Sequence, residues 1–198
     1  MGAVTATEPV GLPPRPLTVA DLEGMPSDGH RYELLDGVPV VSPAPRPLHQ
    51  YAVQRLTVLL DRAAPADLVV LFAPLAVRPE SDRPLLEQRT ELQPDLVVAA
   101  RTAFTDVALE AAPLLAVEVL SPSTRLFDLN TKQAAYARMR TPSYWVADVD
   151  VPEVLVHELD GEDYRLTQRV VGGDELRASL PFPLAFRPSD LVGLWPPE

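Results

Sequence analysis

Leu114-Leu115-Ala116-Val117-Glu118-Val119-Leu120 is an apolar run broken by a single charge. Its length, and its apolar character at both odd and even positions, read as a central strand covered on both faces. A carboxylate inside such a strand is costly. Burial of an unpaired charge is offset only by a partner charge, hydrogen bonds or a cation. Glu118 therefore needs one of these if it is buried. On a half-exposed strand, alternation would turn it to solvent instead. Ser121-Pro122-Ser123-Thr124 closes the run. From Asp128 to Arg140 the apolar residues Leu129, Ala135, Tyr136 and Met139 recur at helical spacing.

Upstream, Pro94 to Ala100 reads as a second buried strand, opened by Asp95. Asp67 to Val77 is apolar and valine-rich and predicts another, and His49 to Ala63 carries Val53, Leu56, Leu59 and Leu60 at helical spacing. Tyr32 to Leu35 and Val38 to Val41 flank Asp36-Gly37, a hairpin turn, with Pro39 marking the second strand as an edge. Thr18 is placed to cap a short helix containing Val19, Leu22 and Met25. Ser42 to Pro47 and Arg78 to Thr90 read as loops. Downstream, Ser143 to Val149 predicts a strand, and Val154 to Leu159 with Tyr164 to Val170 a hairpin about Asp160-Gly161. The segment from Gly172 to the end predicts an irregular, proline-rich cap with a short turn near Ser189. Residues 1–17, with four prolines, read as a mobile tail, and residues 18–198 as one α/β domain with a mixed β-sheet flanked by helices.

The composition excludes several classes. The 198 residues are 46% apolar and 23% charged, which permits a packed core and excludes global disorder. No apolar run approaches the ~20 residues of a membrane span, so no membrane association is expected. No secretory signal is visible, so a cytoplasmic location is expected. The chain has no cysteine, which removes disulfides, thiolate zinc sites and cysteine nucleophiles. His30, His49 and His157 have no metal-like partners at short spacing, and a surface or capping role is expected for His49. There is no glycine-rich phosphate loop and no G-x-S-x-G elbow. The net charge of −11 disfavours nonspecific attraction to nucleic acid, although it permits an acidic pocket neutralised by a cation. Of the 17 basic residues, only Lys132 is a lysine.

Three residues combine into one chemistry. Asp95 at a strand start and Glu118 on a neighbouring strand would form a two-carboxylate site, as a hard cation such as Mg2+ requires. Lys132 lies on the helix that returns over the Glu118 strand, where its amine would hold or activate a water. Taken singly, Asp95 also reads as a turn residue and Lys132 as an exposed helix lysine. Glu33 is a third acid in an apolar stretch, either a weaker metal contact or a solvent-facing strand residue. Arg125, Arg138 and Arg140 are candidates for phosphate contact or for pairing with Asp128 or Glu153.

Tyr-Glu-Leu-Leu-Asp-Gly (32–37), the proline and histidine segment 43–49, Pro-Asp-Leu-Val-Val (94–98), Val-Glu-Val-Leu-Ser-Pro-Ser-Thr (117–124), Asp128 with Lys132 and Tyr136, and Tyr-Trp-Val-Ala-Asp (144–148) occur in that order. This series resembles the Uma2 (DUF820) family of the PD-(D/E)XK nuclease superfamily, over roughly residues 18–190. The resemblance implies a restriction-endonuclease-like core and a Mg2+- or Mn2+-dependent endonuclease acting on DNA. It also implies that Asp95 is the acid of the first motif and Glu118 the acid of the second. Glu33 would be the family's early acid. The lysine of the second motif is replaced by Leu120, and Lys132 is the lysine able to take over its work. Pairing of two subunits is the arrangement such enzymes often use to cut both strands. The competing expectation is a catalytically silent nuclease-fold protein that binds nucleic acid or a protein partner.

Overall fold

A computed structural model describes residues 14–193 and 195. Most of the tail expected over residues 1–17 lies outside the described residues. Its end does not behave as a tail: Leu17 is buried, and its N–H donates to the Gly37 carbonyl at 2.9 Å.

Helix α1 (Val19–Leu22) is short, and the Thr18 N–H at its start donates to Asp21 Oδ2 at 2.7 Å. Strands β1 (Arg31–Leu35) and β2 (Val38–Ser42) form the expected hairpin. Asp36 and Gly37 both have positive φ, 52° and 81°, as a two-residue hairpin turn requires. Gly37 has a second reason to be glycine. A Cβ there would lie 2.7 Å from Pro16 Cβ. We expect Gly37→Ala to lower stability by about 2 kcal/mol, from left-handed backbone strain and this collision. An unchanged urea midpoint would count against that account.

Helix α2 (Pro47–Ala63) follows, with proline at its first turn. The valine-rich stretch that predicted one strand divides into β3 (Leu68–Phe72) and β4 (Ala76–Val77), separated at Ala73-Pro74, where proline removes a ladder donor. Strand β5 (Leu96–Ala100), a single 3₁₀ turn (Arg101–Ala103), β6 (Ala108–Leu109) and β7 (Leu115–Val119) come next. The predicted helix over 128–140 starts as one π-helical stretch, Phe127–Lys132, and continues as α3 (Gln133–Arg138). Strands β8 (Ser143–Asp148), β9 (Glu153–Asp160) and β10 (Asp163–Val171) complete the main sheet. The C-terminal cap is more ordered than its prolines suggest. It carries a strand pair, β11 (Leu176–Ala178) and β12 (Leu184–Phe186), and the turn α4 (Ser189–Val192).

The six-stranded sheet runs β10-β9-β8-β7-β5-β3, with β7 and β8 parallel and every other neighbouring pair antiparallel. The mixed α/β architecture expected from the sequence is the architecture observed. Alternation along β7 explains the site. Leu115, Val117 and Val119 pack on the face covered by α2, with Ala52, Val53, Leu56 and Trp145. Ala116 and Leu120 pack on the opposite face, with Ala135 and Tyr136 of α3. Glu118 shares the parity of Ala116 and Leu120, so it faces the layer that carries Lys132. Among the described residues, no helix is long and apolar enough to cross a membrane.

Candidate active site

Glu118 is 1% exposed, so it is a buried carboxylate and not a solvent-facing strand residue. Lys132, also 1% exposed, reaches it: Nζ donates to Glu118 Oε1 at 3.0 Å. The same Nζ lies 2.9 Å from Glu33 Oε1 and 3.9 Å from Asp128 Oδ1. The exposed-helix-lysine reading is thereby overturned. The π-helical stretch places Asp128 and Lys132 together over β7, a use of π geometry often found at functional sites. Thr124 Oγ1 donates to Asp128 Oδ2 at 2.6 Å, and the Tyr144 hydroxyl donates to the Asp128 carbonyl at 2.8 Å, fixing that turn.

Glu33 is buried as well, which corrects its solvent-facing alternative. Strand β1 docks on the segment before β5 through reciprocal bonds between Leu34 and Glu91, each 2.8 Å. This carries Glu33 Oε1 to the Gln93 N–H at 2.7 Å. Glu33 Oε2 is left buried with no hydrogen-bond partner.

Asp95 stands at the edge of the same cluster, just before β5. Its Oδ2 accepts from the Val119 N–H at 2.8 Å, so the two acids meet at adjacent strand ends. Two residues not foreseen from the sequence complete its surroundings. Arg31 donates to Asp95 Oδ1 at 2.9 Å, and its Nε lies 3.9 Å from Glu33 Oε2. His49 Nε2 lies 3.1 Å from Asp95 Oδ2. His49 is buried, not a surface or capping residue, and its Nδ1 has no partner. A signal for both was present. His49 falls on the helical stripe of Val53, Leu56 and Leu60, and Arg31 shares a strand face with Glu33.

The three arginines proposed for phosphate are engaged elsewhere. Arg125 pairs with Asp148 at 2.5 Å and Arg138 with Asp36 at 2.9 Å, instead of Asp128 or Glu153. Arg140 donates to the Gly161 carbonyl.

The charges shape the protonation. Burial, reinforced by the charges of Asp95, Asp128 and Glu33, outweighs Lys132 and holds the Glu118 carboxyl well above its ordinary range. Burial likewise raises Asp128. Burial alone would raise Asp95, but the His49 hydrogen bond and the charges of His49, Arg31 and Lys132 win and hold it low. Burial opposes the Lys132 cation, yet Glu118, Glu33 and Asp128 keep its ammonium above the usual lysine value.

These residues fit a divalent cation on two grounds. Four buried carboxyl groups, Asp95, Glu118, Glu33 and Asp128, gather around two fixed cations, Arg31 and Lys132, so acids outnumber cations two to one. The orphaned Glu33 Oε2 is an unused donor atom inside this cluster. Among the described residues, no group of three or more His, Asp or Glu side chains is arranged as a ready metal cage. Mg2+ needs no such cage: it takes one or two carboxylates and fills its shell with water and phosphate.

No curated protein matches the chain. A crystal structure of a putative nuclease belonging to DUF820, from Anabaena variabilis, is similar in fold, with a TM-score of 0.71 at 17% identity. The match covers 89% of this chain and 98% of that one. The model of a family described as Uma2, putative restriction endonuclease, matches residues 19–191. With nearly the whole chain inside that match, this protein belongs to the Uma2 family.

Proposed function

We propose that the protein is a divalent-cation-dependent endonuclease that hydrolyses phosphodiester bonds in DNA. One observation supports this reading above the others. Asp95 and Glu118 converge at adjacent strand ends, with the chain's only lysine 3.0 Å from Glu118. Asp95 and Glu118 would hold Mg2+ or Mn2+, with Glu33 a weaker contributor through its free Oε2. The chemistry a bound cation supplies there is neutralisation of the charge that develops on the phosphate oxygens.

The chain's own groups do the rest. Lys132 has three N–H donors, and contacts within hydrogen-bond distance to Glu118 and Glu33 use two. The remaining N–H, whose nearest further carboxylate oxygen is Asp128 Oδ1 at 3.9 Å, would hold the attacking water. Because its acid neighbours keep the ammonium protonated, Lys132 orients that water and stabilises negative charge; it does not remove the proton. His49 and the Val119 N–H fix the Asp95 carboxylate, so they act as positioning groups.

The test is nicking of supercoiled plasmid. Cleavage should appear with Mg2+ or Mn2+, stop in EDTA and return when Mg2+ is added in excess. A catalytically silent nucleic-acid or protein binder is the second reading, favoured by the engagement of both Asp95 oxygens with Arg31, His49 and Val119. The absence of cation-dependent nicking would favour it.

A further inference from the structure

A pocket of about 260 Å³ opens directly beside Asp95. It lies between the approach to β1, the loop before α2, the first turns of α2 and the Ala73-Pro74 break. Its size falls just below the ~300 Å³ at which small-ligand pockets begin, which admits one ring system and its sugar and excludes a base pair. Its walls carry three apolar rings, Pro43, Pro45 and Pro74, beside two carboxamides, Gln50 and Gln93. The carboxamides offer both donors and acceptors, the groups that read the edge of a base. Gln93 Nε2 already donates to the Tyr32 carbonyl at 3.0 Å, so its oxygen is the group left for a ligand.

Two further observations point to an occupant. His49 lines the pocket and is 5% exposed, and its buried Nδ1 has no hydrogen-bond partner. Such an atom is what a ligand's polar group satisfies. The charge is also local. The pocket's one full cation, Arg31, faces its one acid, Asp95, at 2.9 Å, so its lining carries no net charge, whereas the chain as a whole carries −11. A protein that tracks duplex DNA contacts many phosphates with Lys and Arg, and so acidic a surface opposes that mode. A strand held at one nucleotide avoids most of the repulsion.

We infer that this pocket takes one unpaired nucleotide next to the phosphate presented to Asp95 and Glu118, so the substrate strand is single-stranded or locally opened. The inference rests on the nuclease reading above for the identity of the strand being cut. The base stacks on the proline rings, its edge meets Gln50 and Gln93, and a flanking phosphate meets Arg31.

The test is a fluorescence-anisotropy titration without divalent cation, using a labelled single-stranded oligodeoxynucleotide and the same strand annealed to its complement. Ala44→Trp, in the exposed loop that lines the pocket, narrows the space while leaving every carboxylate of the cluster in the sequence. Wild type should bind the single strand at least about tenfold tighter than the duplex. Ala44→Trp should lose about tenfold on the single strand. It should keep the wild-type circular-dichroism spectrum and Mn2+ affinity. Tight binding of the matching oligoribonucleotide would support the pocket with RNA as the source. Equal affinity for duplex and single strand, an unaffected Ala44→Trp, or a free mononucleotide binding as tightly as the strand would each overturn it. Plasmid nicking is scored in parallel. Nicking without strand preference removes the pocket and leaves the nuclease. A strand preference abolished by Ala44→Trp, without nicking, supports the pocket and removes the cleavage.

Discussion

Lys132→Met is expected to cost about 3–5 kcal/mol of folding stability at neutral pH, the range for removing one partner of a buried ion pair. The lysine is within 3.0 Å of both Glu118 and Glu33, and all three side chains are 1% exposed. Methionine fills much the same volume, so a cavity contributes little. The loss comes from two carboxylates left in an apolar layer with Arg31 as their remaining fixed cation. The penalty should depend on pH, and its sign follows from Glu118. Burial, with the charges of Asp95, Asp128 and Glu33, already holds that carboxyl above its ordinary value in the native state. Without the lysine it rises further. The native state then binds a proton that the unfolded state releases, so stability is greatest below the ordinary glutamate value and falls as pH rises above it. Urea unfolding of the variant at mildly acidic and at neutral pH reads this directly. A loss below 1 kcal/mol at neutral pH, or an equal loss at both, would sink the account.

The same cluster shows what a sequence can and cannot disclose. The β7 run was legible because seven consecutive residues with one charge have few alternatives. Asp36-Gly37 was legible because turn chemistry is local. The pairing of Asp95 with Glu118 was read from two apolar runs taken as neighbouring strands, and the reach of Lys132 from a helix returning over its own strand. For Arg31 and His49 the local signal, a strand face shared with Glu33 and a place on the apolar stripe of α2, shows burial but not the partner, because Asp95 lies 64 and 46 residues away. Glu33 stayed ambiguous for a related reason. Alternation assigns it a face of β1, but whether that face is buried depends on the docking of β1 against residues 91–93 and on Lys132. The strand pair β11–β12 was hidden by its brevity: three residues each, set among prolines, give too few positions for a period to show. The π-helical stretch at Phe127–Lys132 carries the same apolar spacing as an α-helix start, so composition does not distinguish them.

Glu118→Gln separates chemistry from folding where Lys132→Met mixes them. The substitution is isosteric, and Lys132 keeps Glu33 at 2.9 Å and Asp128 at 3.9 Å. The lysine therefore stays paired, and a carboxylate whose burial disfavours its charged form is replaced by a neutral amide. The unfolding free energy from urea titration should stay within about 1 kcal/mol of wild type, the scale of a typical hydrogen-bond change. Function should not survive as well. The amide removes one of the two carboxylates available to a hard cation. Mn2+ affinity, measured by calorimetry, should fall by more than the roughly 10–100-fold that loss of an outer-shell partner costs. Plasmid nicking should fall by at least about 10²–10³-fold, the cost of losing one electrostatic element of an active site. A variant that folds like wild type, binds Mn2+ weakly and does not nick assigns Glu118 to the cation. A variant that keeps full Mn2+ affinity would move the cation away from Glu118, leaving this buried acid as a structural partner of Lys132 alone.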